Sequence, residues 1–122
     1  MLNIIIKTIP HKEQRYDTVG DWYYTKDNTL HIRVSKMSRS RYEVLVMIHE
    51  LIECFLCEHK AIPQEVVDDF DKTYEDEGEP GDCKYSPYRD QHCIATGVER
   101  ILAACLGVCW ADYEKETDEI SS

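Results

Sequence analysis

The stretch MIHELIECFL sets a histidine and two glutamates where one metal ion could meet them. His49, Glu50 and Glu53 read His-Glu-x-x-Glu, one position away from the His-Glu-x-x-His pattern that helices use to hold a catalytic zinc. Helical residues advance by ~100° each, so His49 and Glu53, four apart, project from one face and offer an imidazole and a carboxylate to the same ion. Glu50 stands beside them, placed to take a proton from a water as general base. A catalytic zinc takes three protein ligands and keeps one position open, so a third donor must come from another element. His92, in YRDQHCIATGVERILAAC, is the candidate. On a helix His92 shares a polar line with Thr96, Glu99 and Ala103. His49, Glu53 and His92 would form the two-imidazole, one-carboxylate shell of hydrolytic zinc sites. Glu99 is either a fourth ligand or a partner that orients an imidazole. With ligand bonds of ~2 Å, the reading turns on His92 lying next to His49.

The elements that must position these residues are legible in outline. Leu2 to Ile9 is a β-rich run ended by Pro10, followed by a polar loop to Gly20. Asp21–Thr25 and Thr29–Ser35 flank Lys26-Asp27-Asn28, a hairpin signal in which Leu30, Ile32 and Val34 alternate with His31 and Arg33. Ser38 or Ser40 is expected to cap a helix from about 41 to 59. A second helix starts near Pro63 and runs to about 77, and a third covers about 88 to 106, with Gly107 as its stop. Val44, Ile48, Leu51 and Phe55 form the apolar stripe of the first helix, and Ile94, Val98, Ile101, Leu102 and Cys105 that of the third. These stripes are expected to face the core, leaving the His/Glu lines to border a shallow cleft. The expected fold is α+β: a small N-terminal antiparallel sheet on three helices, one domain over residues 1–111, with residues 112–122 an acidic, frayed tail.

Composition narrows the function classes. The chain has 122 residues, 43% hydrophobic and 31% charged, which describes a folded domain. Fourteen basic and 24 acidic residues give a net charge of −10, which argues against nucleic acid as a partner. No apolar run reaches the ~18 residues of a membrane span, and MLNIIIKTIP lacks the basic start and cleavage site of a signal peptide, so a cytoplasmic location is expected. Six cysteines are then expected to be reduced, mostly small buried thiols; a structural zinc site from Cys54, Cys57, Cys105 and Cys109 is the competing reading. The run Asp68, Asp69, Asp71 reads as a solvated helix face, His31 as a strand's solvent face, and His59 as a helix-terminal charge. Tyr85 and Tyr88, just before the third helix, are expected to pack or to donate to a substrate oxyanion.

Through His49, Glu50 and Glu53 in MIHELIECFL, after a hairpin, the chain resembles the zincin group of metallopeptidases in its small, minimal-domain form. The resemblance covers this helix and the hairpin before it. It implies a metal ligand at His49, a base at Glu50, a ligand at Glu53 in place of the second histidine, and a downstream ligand at His92. More loosely, a His-Glu-Leu-x-Glu helix followed by a His…Glu-Arg helix is similar to small uncharacterised phage-encoded proteins, which would place the chain in a host cytoplasm. A carboxylate in place of the second imidazole adds negative charge, makes zinc a weaker Lewis acid, and admits Mn²⁺ or Fe²⁺ beside Zn²⁺. The leading expectation is a metal-dependent hydrolase acting on a peptide or protein substrate. Beside it stand an acidic binding or inhibitor protein aimed at a protein target, with structural metal or none, and a structural-metal domain without turnover.

Overall fold

Leu30, Ile32 and Val34 are each at most 1% exposed, and their alternation with half-buried His31 and Arg33 makes β3 (Thr29–Ser35) the central strand. In the computed structural model, which describes residues 1–121, β3 is flanked by β1 (Asn3–Ile9) and β2 (Gly20–Tyr24), in the order β1-β3-β2. The β2–β3 hairpin is the expected one, its turn closed by Asn28 at φ 62°, a left-handed conformation that Asn tolerates. β1 differs from expectation: it pairs parallel to β3, Ile4 beside Leu30 and Ile6 beside Ile32, so the sheet is mixed. The loop between β1 and β2 crosses the end of β3, where His11 Nδ1 and Gln14 Nε2 lie 2.8 and 3.1 Å from Ser35 Oγ. That crossing sends β2 to the far edge and lets β3 insert between the two.

Four helices follow, one more than expected: α1 (Ser40–His59), α2 (Gln64–Thr73), α3 (Arg89–Cys105) and α4 (Trp110–Ile120). The fold class is α+β, as read. Neither serine caps α1. Glu43 in its first turn accepts from the Met37 amide at 2.8 Å, while Ser38 bonds to Glu116 of α4. Pro63 precedes α2 directly, and Gly107 at φ 67° ends the α3 segment. No helix of the described residues is long and apolar enough to cross a membrane.

The buried faces of α1 and α3 are not the apolar stripes. α1 packs on β2 and β3 with one side and on α3 with another, burying Leu45, Val46, His49, Glu53, Cys54 and Cys57. Val44 and Phe55 are exposed instead. α3 turns inward His92, Ala95, Glu99 and Ala103, and leaves Ile94 and Ile101 54% and 68% exposed. Ala95 and Ala103 carry only a methyl group, which lets the two helices approach closely, and the polar side chains between them satisfy one another. That mutual satisfaction offsets the desolvation that would otherwise keep a His/Glu line outside.

The expected frayed tail is also corrected. Residues 110–120 are α4, and Tyr113 is 2% exposed, its ring 5.4 Å from Tyr42 and its hydroxyl on Glu99. Ser122, the last residue of that tail, lies outside the described residues. Nor is the α2 aspartate run a solvated face. Asp68 is buried and shares the Arg15 guanidinium with Asp21, at 3.0 and 2.7 Å, and only Asp69 of the three is exposed.

Candidate metal centre

Three donor atoms from two helices converge between α1 and α3. His49 Nε2 and His92 Nδ1 each lie 3.0 Å from Glu53 Oε2, and the two nitrogens are 3.2 Å apart. Ligands at ~2.1 Å around a tetrahedral ion stand about 3.4 Å from one another, so this triangle fits one small divalent cation after a slight outward adjustment. All three side chains are buried, at 8%, 5% and 8% exposure, and among the described residues this is the group of ligating side chains that could hold a metal ion. The adjacency of His49 and His92 on which the sequence reading turned is met.

Each donor is held from behind by a different element. Glu99 Oε1 is 2.7 Å from His49 Nδ1, and Tyr113 donates to the other oxygen of Glu99 at 2.5 Å. A proton on Nδ1 shared with Glu99 leaves Nε2 with a free lone pair. Glu99 stands behind the imidazole of His49, in the place of an orienting partner. Trp22 of β2 donates its indole N–H to Glu53 Oε1 at 3.2 Å, which turns Oε2 to the histidines. Asp82, in the loop before α3, lies 3.3 Å from His92 Nε2. Trp22, Asp82 and Tyr113 were not anticipated. They come from a strand, a loop and the supposed tail, so no single-helix spacing could have tied them to the motif.

Charges follow from this packing. Burial disfavours a charged His49, but hydrogen bonds to Glu53 and Glu99 outweigh it and hold the imidazole well above its ordinary value. Burial also opposes ionisation of Glu53, yet hydrogen bonds from His49 and His92 pull its carboxyl down to about 2. Glu50, half-buried, lines the same cleft, where burial and the Glu53 charge push its carboxyl well above the usual range despite the opposing charge of His49. Gly20 at the start of β2 makes room for it: a Cβ there would come within 2.7 Å of Glu50 Cγ. Gly81 does the same for the ligand, since a Cβ at that position would lie 2.3 Å from His92 Cγ and 2.4 Å from Nδ1.

The centre opens into a cleft of about 840 Å³, bordered by the loop before β2, the segment between α2 and α3, and α4. Asp71 of α2 lies in its wall and accepts hydrogen bonds from the hydroxyls of Tyr16 and Tyr88. Tyr88 is thus buried structure, while Tyr85 is 76% exposed. The remaining candidates fall elsewhere. His31 stacks on Tyr23, His59 is exposed, Cys54 and Cys57 are buried, Cys83 is half-buried, and Cys93, Cys105 and Cys109 are exposed. All six thiols are free, so only two fit the expectation of buried thiols, and no cysteine joins the candidate metal group.

Two measurements check this geometry. Glu99→Gln keeps the shape but removes the charge behind His49, and metal affinity is expected to fall by roughly 10–100-fold in a competition titration. Asp71 is held at about 7 against an ordinary 3.8, mainly by burial and by the charge of Glu53, with the Tyr88 hydroxyl opposing. The folded state then binds more protons than the unfolded one between those values, so stability falls as pH rises from about 4 to about 7. Asp71→Asn is expected to flatten that decline in denaturant midpoints measured across the same range.

Comparison with protein-family models, with curated proteins and with solved structures finds no match to this chain.

Proposed function

We propose that the protein is a metal-dependent hydrolase, zincin-like in carrying its ligands and its base on one helix, and acting on a peptide bond. The observation that carries this reading is the His49–Glu53–His92 triangle, with His49 and Glu53 backed by hydrogen bonds to Glu99 and Trp22 and His92 faced by the Asp82 carboxylate. Two imidazoles and one carboxylate are the donors of hydrolytic zinc sites, so Zn²⁺ is the first choice. The negative shell keeps Mn²⁺ and Fe²⁺ as competitors. When bound, the ion supplies Lewis-acid polarisation of a carbonyl and lowers the pKa of water.

The chain's own residues do the rest. Glu50, on the turn between His49 and Glu53, lines the cleft as the general base: the positive charge of a bound ion would offset the burial and the Glu53 charge that raise its carboxyl, leaving a carboxylate to take the proton of the attacking water and pass it to the leaving amine. Glu99 and Asp82 keep the two imidazoles turned toward the reacting centre, and Trp22 does so for Glu53. The cleft walls hold the peptide so that its carbonyl meets the centre.

The deciding measurement is metal content of protein purified without chelator or added metal. About one divalent ion per chain is expected. Chelation should remove it with the fold retained, because both imidazoles can hydrogen-bond to Glu53 and the apolar core is built from other residues. A protein that carries no metal and binds none on titration would end this reading. One that melts when the ion leaves would carry a structural metal instead.

A further inference from the structure

The walls above the centre are lopsided in charge. Asp76 and Glu79 line the cleft from the segment between α2 and α3, and Glu114 and Asp118 from α4. All four are exposed. Glu114 and Asp118 are four residues apart, so both carboxylates project from one face of α4, the face that lines the cleft. Against them, the described lining residues include one lysine and no arginine. That residue, Lys72, sets its ammonium group 5.5 Å from the centroid of the Tyr16 ring, and Tyr16 belongs to the same wall. The wall thus already seats one ammonium on an aromatic face. Tyr74, next to Asp76, offers a further ring at the opening.

A cleft of this sign concentrates cations and repels anions, and low-dielectric walls focus the effect at its floor. Phosphorylated and acidic peptides meet repulsion there. Resting on the hydrolase reading for the reacting centre, we infer that the peptide taken by this cleft is a basic one. Its Lys or Arg side chains lie between the carboxylates of the segment before α3 and those of α4. The four carboxylates act on capture and orientation of the chain and take no part in bond cleavage.

The test uses fluorescence anisotropy with three labelled peptides of one length, basic, neutral and acidic, against the metal-loaded protein. The basic peptide is expected to bind roughly tenfold or more tightly than the neutral one at low ionic strength, with the gap closing as salt is added. The triple variant Asp76→Asn, Glu114→Gln, Asp118→Asn should lose on the order of tenfold for the basic peptide, with the neutral peptide and metal content unchanged. Equal affinity for basic and neutral peptides overturns the inference, as does a triple variant that binds the basic peptide undiminished. If the triple variant does not fold, the ranking and salt dependence of the unaltered protein decide. Metal content measured in parallel separates the two proposals. Basic-peptide binding without metal defeats the hydrolase and keeps the basic ligand, whereas metal without charge preference does the reverse.

Discussion

His92→Ala is expected to strip the protein of its metal. The imidazole supplies one of three donors, and its Nδ1 is the atom that closes the triangle from α3. Losing a partner behind a ligand already costs roughly 10–100-fold in affinity, so losing the ligand itself should exceed that. Metal content after gel filtration is then expected to drop from about one ion per chain to near none. His49→Ala should do the same from the other helix. Gly81→Ala is an independent version that leaves all three donors in the sequence. Its new methyl group would sit 2.3 Å from the ring of His92, closer than atoms can approach, so the ring or the loop must move and the triangle opens. Loss of metal in all three variants would tie binding to this geometry. Retention in His92→Ala would mean that the ion sits elsewhere. Acid should weaken loading in the unaltered protein, because His49 is held well above its ordinary value and the ion must displace its proton. Titration calorimetry in buffers of different ionisation heat reads that proton directly.

Glu50→Gln is expected to separate binding from chemistry. Glutamine matches glutamate in shape, so the contact with Gly20 and the packing of α1 on the sheet persist, and metal content should stay at about one ion per chain. It cannot accept a proton from water. Cleavage of a basic peptide, followed by mass spectrometry, should fall by roughly 10²–10⁴-fold, the contribution typical of a positioned general base. Burial and the Glu53 charge already oppose ionisation of Glu50, so a neutral amide there should leave the melting temperature unchanged or raise it. An unchanged cleavage rate in a metal-loaded Glu50→Gln protein would remove Glu50 from the mechanism. Hydrolysis that survives loss of the metal as well would remove the centre.

Local periodicity and turn chemistry carried the elements. The alternation of Leu30, Ile32 and Val34, the Asp27-Asn28 turn, Pro63 and Gly107 each act within a few residues, so the hairpin and α1 to α3 are legible without a partner in view. The same holds for His49 and Glu53, whose four-residue spacing puts both on one face of whichever helix contains them. His92 was legible as a donor on a polar line, and the sequence alone required only that some second element bring a third ligand.

Which face of each helix turned inward was decided by tertiary packing. An apolar stripe is ordinarily the buried one, yet Ile94 and Ile101 lie outside while His92 and Glu99 lie inside. Periodicity weighs each residue as if it met solvent or hydrocarbon alone. It cannot register that a histidine, a glutamate and a tyrosine from α1, α3 and α4 will satisfy one another at 2.5–2.7 Å and thereby make their own burial tolerable. The partners behind the ligands share this origin. Trp22, Asp82 and Tyr113 are 31, 10 and 14 residues from the side chains they hold, and α4 reads as an acidic tail until Tyr113 finds Glu99. The pairing of β1 with β3 is of the same kind, since a parallel neighbour needs a crossing loop whose path no local pattern encodes. The sequence by itself therefore determined the strands, most of the helices and the two-ligand helix face, because those follow from contacts along the chain. Only the tertiary structure closed the triangle and supplied what holds it, because those contacts join groups that meet after the chain has folded.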